Sequence, residues 1–156
     1  MTDTTAGVLA PLAAHDAGEL LTLQRAAYAT EAQIYRDPFL PALTQTLDEL
    51  SSELRGPGLG LRSGGRLVGA VRWTVDGDLA HIGRLAVAPD LQGRGIGTRL
   101  LRAAEQASGA DRFELFTGHL SEANIRLYER EGYVVDRRVP LHAGVDLVYM
   151  VKTGDR

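Results

Sequence analysis

The 156-residue chain contains no cysteine. That excludes a disulfide framework, a thiolate zinc site and a cysteine nucleophile. No apolar run approaches the roughly 18 residues of a membrane span, so no membrane partner is expected. Positive charge is not in excess: 17 Lys and Arg face 20 Asp and Glu, for a formal net charge of −3. Duplex binding demands a basic face, so no nucleic-acid partner is expected either. The start, MTDTTAG, has no basic segment and no long apolar one, and does not read as a signal peptide. Residues 1–7 are expected to be a loose tail on a single domain spanning 1–156, in a cytoplasmic protein. Internal repeats and low-complexity linkers are absent.

What the chain does contain is a change of period. Val8–Ala13 reads as a strand. Leu20, Leu23, Ala27 and Ile34 fall at helical spacing over 16–36, with Asp16 as N-cap and a break near Ala29-Thr30. Thr44 or Thr46 caps a second helix carrying Leu47, Leu50 and Leu54. Leu59–Arg62 and Leu67–Val75 read as a hairpin, followed by a strand over Leu79–Ala88. A helix from Gly95 to Ser108, a strand over Phe113–Thr117, a helix capped by Ser121 and a closing hairpin (Val134–Val139, Val145–Val151) complete the chain. The order is β-α-α-β-β-β-α-β-α-β-β. This predicts an α/β fold with a mixed, largely antiparallel sheet, and a parallel crossover around Gly95.

The stretch Gln92-Gly93-Arg94-Gly95-Ile96-Gly97 places three glycines just before a helix. Each loses more backbone freedom on folding than an alanine would. A helix N-terminus has unpaired N–H groups and a partial positive charge, and bare backbone lets a phosphate approach them. The stretch therefore reads as a phosphate cradle. It is no Walker loop, because no lysine follows the last glycine, and no dinucleotide fingerprint, because position six is Thr98 or Leu100.

The hexad resembles the Gln/Arg-x-x-Gly-x-Gly/Ala signature of the GCN5-related N-acetyltransferases. Arg84-Leu85-Ala86-Val87-Ala88-Pro89 is similar to that family's fourth strand. Asn124-Ile125-Arg126-Leu127-Tyr128-Glu129-Arg130-Glu131-Gly132-Tyr133 is similar to its last helix and exit. The resemblance covers about Val8 to Lys152 and implies acetyl-coenzyme A as co-substrate, with no metal. It implies that Gln92, Gly93, Arg94, Gly95, Ile96, Gly97 and Thr98 hold the pyrophosphate. Leu85, Ala86 and Val87 would bind the pantetheine arm, with an N–H at or beside Val87 facing the thioester oxygen, where charge develops.

Acetyl transfer to an amine needs a base and benefits from an acid. Alone, Tyr128 reads as a core tyrosine beside Leu127. The resemblance implies that it is the general acid near the sulfur, and that Asn124 binds the cofactor arm or adjacent backbone. Alternation along Leu79–Val87 puts His81, Gly83, Leu85 and Val87 on one face. The resemblance implies a base at the position of His81 in some members and no dedicated base in others. His81 therefore stands as candidate base or ordinary strand histidine, with His119 the next candidate. The resemblance implies that the two N-terminal helices and the closing hairpin form the acceptor side. There Glu31, Tyr35, Asp37 and Asp48 would suit a cationic amine, and Arg36, Arg137 and Arg138 a carboxylate, unless they are solvated faces. The expected activity is acetyl transfer to a small-molecule primary amine in a ternary complex. Protein lysines or N-termini, and a non-catalytic acyl-coenzyme A binder, stay open as alternatives. The closing strand pair offers an edge for a homodimer.

Overall fold

The computed structural model describes residues 7–142 and 144–154. A seven-stranded sheet runs in the order β1-β2-β3-β4-β5-β7-β6. Its strands are β1 (Val8–Pro11), β2 (Gly58–Ser63), β3 (Arg66–Asp76), β4 (Leu79–Val87), β5 (Arg112–Gly118), β6 (Val134–His142) and β7 (Val145–Thr153). Every neighbouring pair is antiparallel except β4 and β5, which run parallel. The helices are α1 (Ala17–Tyr35), α2 (Pro41–Thr44), α3 (Leu47–Glu53), α4 (Ile96–Ser108) and α5 (Glu122–Arg130). The expected tail lies outside the described residues except for Gly7, whose carbonyl accepts a 2.7 Å bond from Arg99.

Helices cover both faces of the N-terminal half of the sheet. On one side α1 buries Leu20, Leu23 and Gln24, and α3 buries Leu50. On the other, α4 lays Ile96, Leu100, Leu101 and Ala104 against the strands. β3, caught between them, is buried from Leu67 through Trp73. That explains its apolar run from Leu67 to Val71, since a strand covered on both faces need not alternate. Burying each such aliphatic side chain contributes roughly 1.5–3 kcal/mol. α5 lies beside α4, with Tyr133 bonded to Glu105 at 2.6 Å and Arg102 to Glu131 at 2.6 Å.

Several local expectations are corrected. α1 is unbroken at Ala29-Thr30, because one β-branched residue costs only tenths of a kcal/mol against tertiary packing. Pro41 opens a separate short helix at a position where its missing N–H costs nothing. Thr46 is the cap of α3, in a reciprocal capping box with Glu49. Asp16 does not cap α1 with its side chain; its carboxylate accepts from the Ala13 N–H and pairs with Arg62 at 2.8 Å.

The main correction concerns β4. Ala86 pairs with Ala70 and Gly83 with Arg72, so Arg84 and Leu85 stand opposite the single residue Val71. This bulge inverts the alternation. His81 and Gly83 share the α1–α3 side with Arg72, which reaches Glu53 of α3. Val87 pairs with Gly69, where an added Cβ would meet Leu100 and Ile96 of α4. Leu85 and Val87 likewise lie about 4.0 and 3.9 Å from the Cβ position of Gly97. His81 therefore does not share a face with Leu85 and Val87.

Candidate active site

The site lies where the sheet comes apart. β4 and β5 pair only through Leu79–Arg112, Ala80–Phe113 and His81–Glu114. Beyond His81 the two strands diverge, which leaves one edge of β4 without a strand partner. The Ala88 N–H bonds to Val68 at 2.8 Å, so by alternation Ala86 also spends its backbone on β3. Leu85 and Val87 turn theirs to the opening. Two side chains confirm the direction: Tyr28 donates toward the Leu85 carbonyl at 3.5 Å, and Gln92 to the Val87 carbonyl at 3.3 Å.

The glycine hexad closes one end of this opening. Gly93 and Gly95 adopt φ of 79° and 82°, a conformation that costs a side-chain-bearing residue about 1–2 kcal/mol. Gly95 is the N-cap of α4. The first turn of the helix has no acidic side chain, and its leading N–H groups have no partner within the helix. An added Cβ at Gly93 or Gly95 would meet nothing within 4 Å, so open space lies before bare backbone. Gln92, Gly93, Arg94 and Gly95 are exposed, Ile96 is buried, and Gly97 and Thr98 are half-buried.

Tyr128 of α5 is 7% exposed, and its ring lies tilted against that of Tyr133 with centroids 6.1 Å apart. Its hydroxyl has no hydrogen bond among the described residues. None of their fully buried polar side-chain atoms lacks a partner, so the hydroxyl is not wholly sealed from solvent. Burial, reinforced by nearby Tyr28 and Glu31, pushes it above the ordinary phenol range. It is a protonated donor at neutral pH.

A side-chain network joins α1 to α5 across the opening. Glu31 accepts from Ser121 at 2.5 Å and from Asn124 at 3.4 Å. Asn124 also reaches Thr117 at 3.3 Å. The Tyr35 hydroxyl meets Ser121 at 2.6 Å and accepts the Leu120 N–H. Ser121 is the N-cap of α5 by position, but its hydroxyl serves Glu31 rather than the helix. At the apex, His81 Nδ1 lies 3.2 Å from Glu114, which also binds Arg137 at 3.2 Å. With Nδ1–H donated to the carboxylate, the neutral ring presents a free lone pair on Nε2. His119 differs: its Nδ1 accepts the Asp146 N–H at 3.0 Å, so its neutral ring carries the proton on Nε2 and has no free lone pair.

The pattern that defines the Acetyltransferase (GNAT) family matches residues 23–133. The chain belongs to that family. Its fold agrees with solved structures of low identity. One is the PaiA N-acetyltransferase from Thermoplasma acidophilum in complex with coenzyme A, at TM-score 0.79 and 19% identity, covering 94% of this chain and 99% of that one. Another is YncA, a putative acetyltransferase from Salmonella typhimurium with acetyl-CoA, at TM-score 0.75 and 18% identity, covering 96% and 95%. In sequence, the chain is 28% identical over 118 residues to the UPF0157 protein YqkA of Bacillus subtilis, covering 75% of this chain and 34% of that protein. It thus spans about a third of that relative's length.

For a GNAT chain the arrangement is suited to an acyl-coenzyme A. Bare backbone for a diphosphate and an unpaired β4 edge for an amide-bearing arm meet at one opening. Sequence reasoning missed four participants: Tyr28, Arg84, Glu114 and Ser121. Glu114 had a signal, since it lies in the strand after the crossover, two residues into a run that otherwise alternates with Phe113 and Leu115. Arg137 and Arg138, read as carboxylate holders, are committed to Glu114 and Asp136, and to Asp146.

Proposed function

We propose that this protein transfers the acetyl group of acetyl-coenzyme A to a primary amine of a small molecule, by direct attack in a ternary complex. The observation that carries this reading is the parting of β4 and β5 directly before the free N–H groups of α4. The backbone from Gly93 to Thr98 would bind the pyrophosphate, and Leu85 and Val87 the pantetheine amides. Gln92 orients the Val87 carbonyl. Ala86 supports these two from within the β3 ladder, and Asn124 braces the far wall through Thr117.

Bound acetyl-coenzyme A supplies an activated acetyl thioester. His81 Nε2 takes the ammonium proton, so that the free amine can form its N–C bond as the C–S bond breaks. Tyr128 donates a proton to the departing sulfur and recovers one from the acylated nitrogen. The net products are an amide, a free thiol and one proton. A phenol with a raised pKa still suits this role, because burial in apolar surroundings raises a thiol as well.

Release of free coenzyme A from a panel of small amines and peptides tests the reading. Turnover with small amines is expected. His81→Gln should lower kcat/KM while acetyl-coenzyme A affinity stays near wild type. Transfer to peptides alone would overturn the acceptor class, and no transfer to any amine would overturn the activity.

A further inference from the structure

Two non-glycine residues have positive φ among those described, Arg36 and Arg84. Arg36 is the left-handed residue that ends α1. Arg84 lies inside a strand, at the first position of the β4 bulge, with φ of 50°. That position favours glycine, and an arginine there costs about 1–2 kcal/mol. The chain does hold a glycine one residue earlier, at Gly83, where φ is not positive. A strained side chain retained beside an opening directs attention to what the side chain does.

Arg84 is half-buried on the α1–α3 side. It interacts electrostatically with Tyr28 of α1, with Arg72 and with Glu53. Glu53 is taken by Arg72 at 2.5 Å. Arg84 makes no ion pair among the described residues, and its attraction to Glu53 acts at longer range than that of Arg72. Two guanidinium groups acting on one carboxylate leave room for a second anion. Glu31 lies one helical turn beyond Tyr28 and acts electrostatically on both Tyr28 and Tyr128. A carboxylate and a guanidinium therefore both act on Tyr28, whose hydroxyl donates toward the Leu85 carbonyl at the opening.

We infer that Arg84 binds a carboxylate of the acceptor, and that the acceptor is a free amino acid whose carboxylate lies beside the amine that is acetylated. This rests on the acetyl-transfer reading above. Glu31 draws the ammonium toward Tyr128, Arg84 holds the carboxylate at the bulge, and Tyr28 separates the two. A guanidinium matches a carboxylate through two parallel bonds, which fixes orientation as well as affinity.

Matched pairs test it: phenylalanine with phenethylamine, histidine with histamine, lysine with cadaverine, each also against the amino-acid amide. The wild-type protein is expected to favour the carboxylated member by about tenfold to a hundredfold in kcat/KM, the span of a charge-assisted hydrogen bond. Arg84→Gly and Arg84→Asn accept the left-handed conformation, so both should fold with an unchanged or raised Tm. Both should lose the preference while acetyl-coenzyme A affinity is kept, and Arg84→Lys should restore part of it. Equal or better turnover of the decarboxylated amines, or a preference that survives in Arg84→Gly, overturns the inference and leaves acetyl transfer standing. Absence of transfer to every probe, with acetyl-coenzyme A bound, overturns both together.

Discussion

The two walls of the opening are built from different materials. The wall formed by the β4 edge and the start of α4 is backbone: glycines at φ near 80°, free N–H groups, and the carbonyls of Leu85 and Val87. The wall formed by α1, the β5–α5 turn and α5 is side chain: Glu31, Tyr35, Ser121, Asn124 and Tyr128. Backbone cannot be altered by substitution except through φ. Side chains can be exchanged without disturbing the fold. A fixed co-substrate suits the first wall and a varied acceptor the second.

Gly95→Val attacks the backbone wall, and the largest effect is expected there. The added side chain meets no neighbour, but a β-branched residue at φ of 82° is strained. The loop should abandon its conformation and acetyl-coenzyme A affinity should fall by about two orders of magnitude or more, while circular dichroism shows a folded protein. Unchanged affinity by calorimetry would erase the distinction between the walls.

Tyr128→Phe attacks the side-chain wall and should spare binding. Loss of a general acid lowers kcat by about 10²–10⁴-fold, and acetyl-coenzyme A affinity should stay near wild type. Wild-type turnover would reduce Tyr128 to a packing residue against Tyr133.

Gly118→Ala sharpens the comparison at a glycine that belongs to the second wall. Its new Cβ would fall on the Tyr35 ring. Displacing Tyr35 frees Ser121 and Glu31, at a cost of about 1–3 kcal/mol for overpacking. A lowered Tm with weakened acceptor KM and intact acetyl-coenzyme A binding is expected.

The smallest effect is electrostatic and lies under the backbone wall. Arg66 grips Asp90 through two 2.8 Å bonds just before the hexad and holds its carboxyl down to about 2 from 3.8. The folded value lies below the unfolded one. The contribution is therefore present above about 3.9 and lost as pH falls toward about 2. The pair is exposed, so the effect is small. Asp90→Asn should lower Tm slightly at pH 7, with the difference from wild type vanishing near pH 2.

The backbone wall was legible because it is local. Six consecutive residues announce it, and the flanks that accompany it run straight through. The side-chain wall was not, because Glu31 meets Ser121 and Asn124 across 90 and 93 residues of chain. Nothing in the spacing of Tyr28, Glu31 and Tyr35 separates a helix face that binds α5 from one that faces solvent. The bulge was hidden for another reason. Strict alternation predicts a straight β4, and a left-handed arginine contradicts the propensity that would reveal it. Pro41, by contrast, was a readable start signal for α2.

The three-residue seam between β4 and β5 has a consequence for how the native molecule breathes. β3–β4 and β5–β7 are each held by seven register pairs, whereas the seam has three, reinforced at its ends by Arg112–Asp78 and His81–Glu114. Cooperative opening follows the weakest boundary. In hydrogen–deuterium exchange the amides that cross the seam should open before those on either side, with β5, β7 and β6 parting as one foldon. A ligand that binds only across the closed seam adds its own binding free energy to that boundary. Slowed exchange at Arg112–Glu114, far from any phosphate, would then be the signature of a loaded protein.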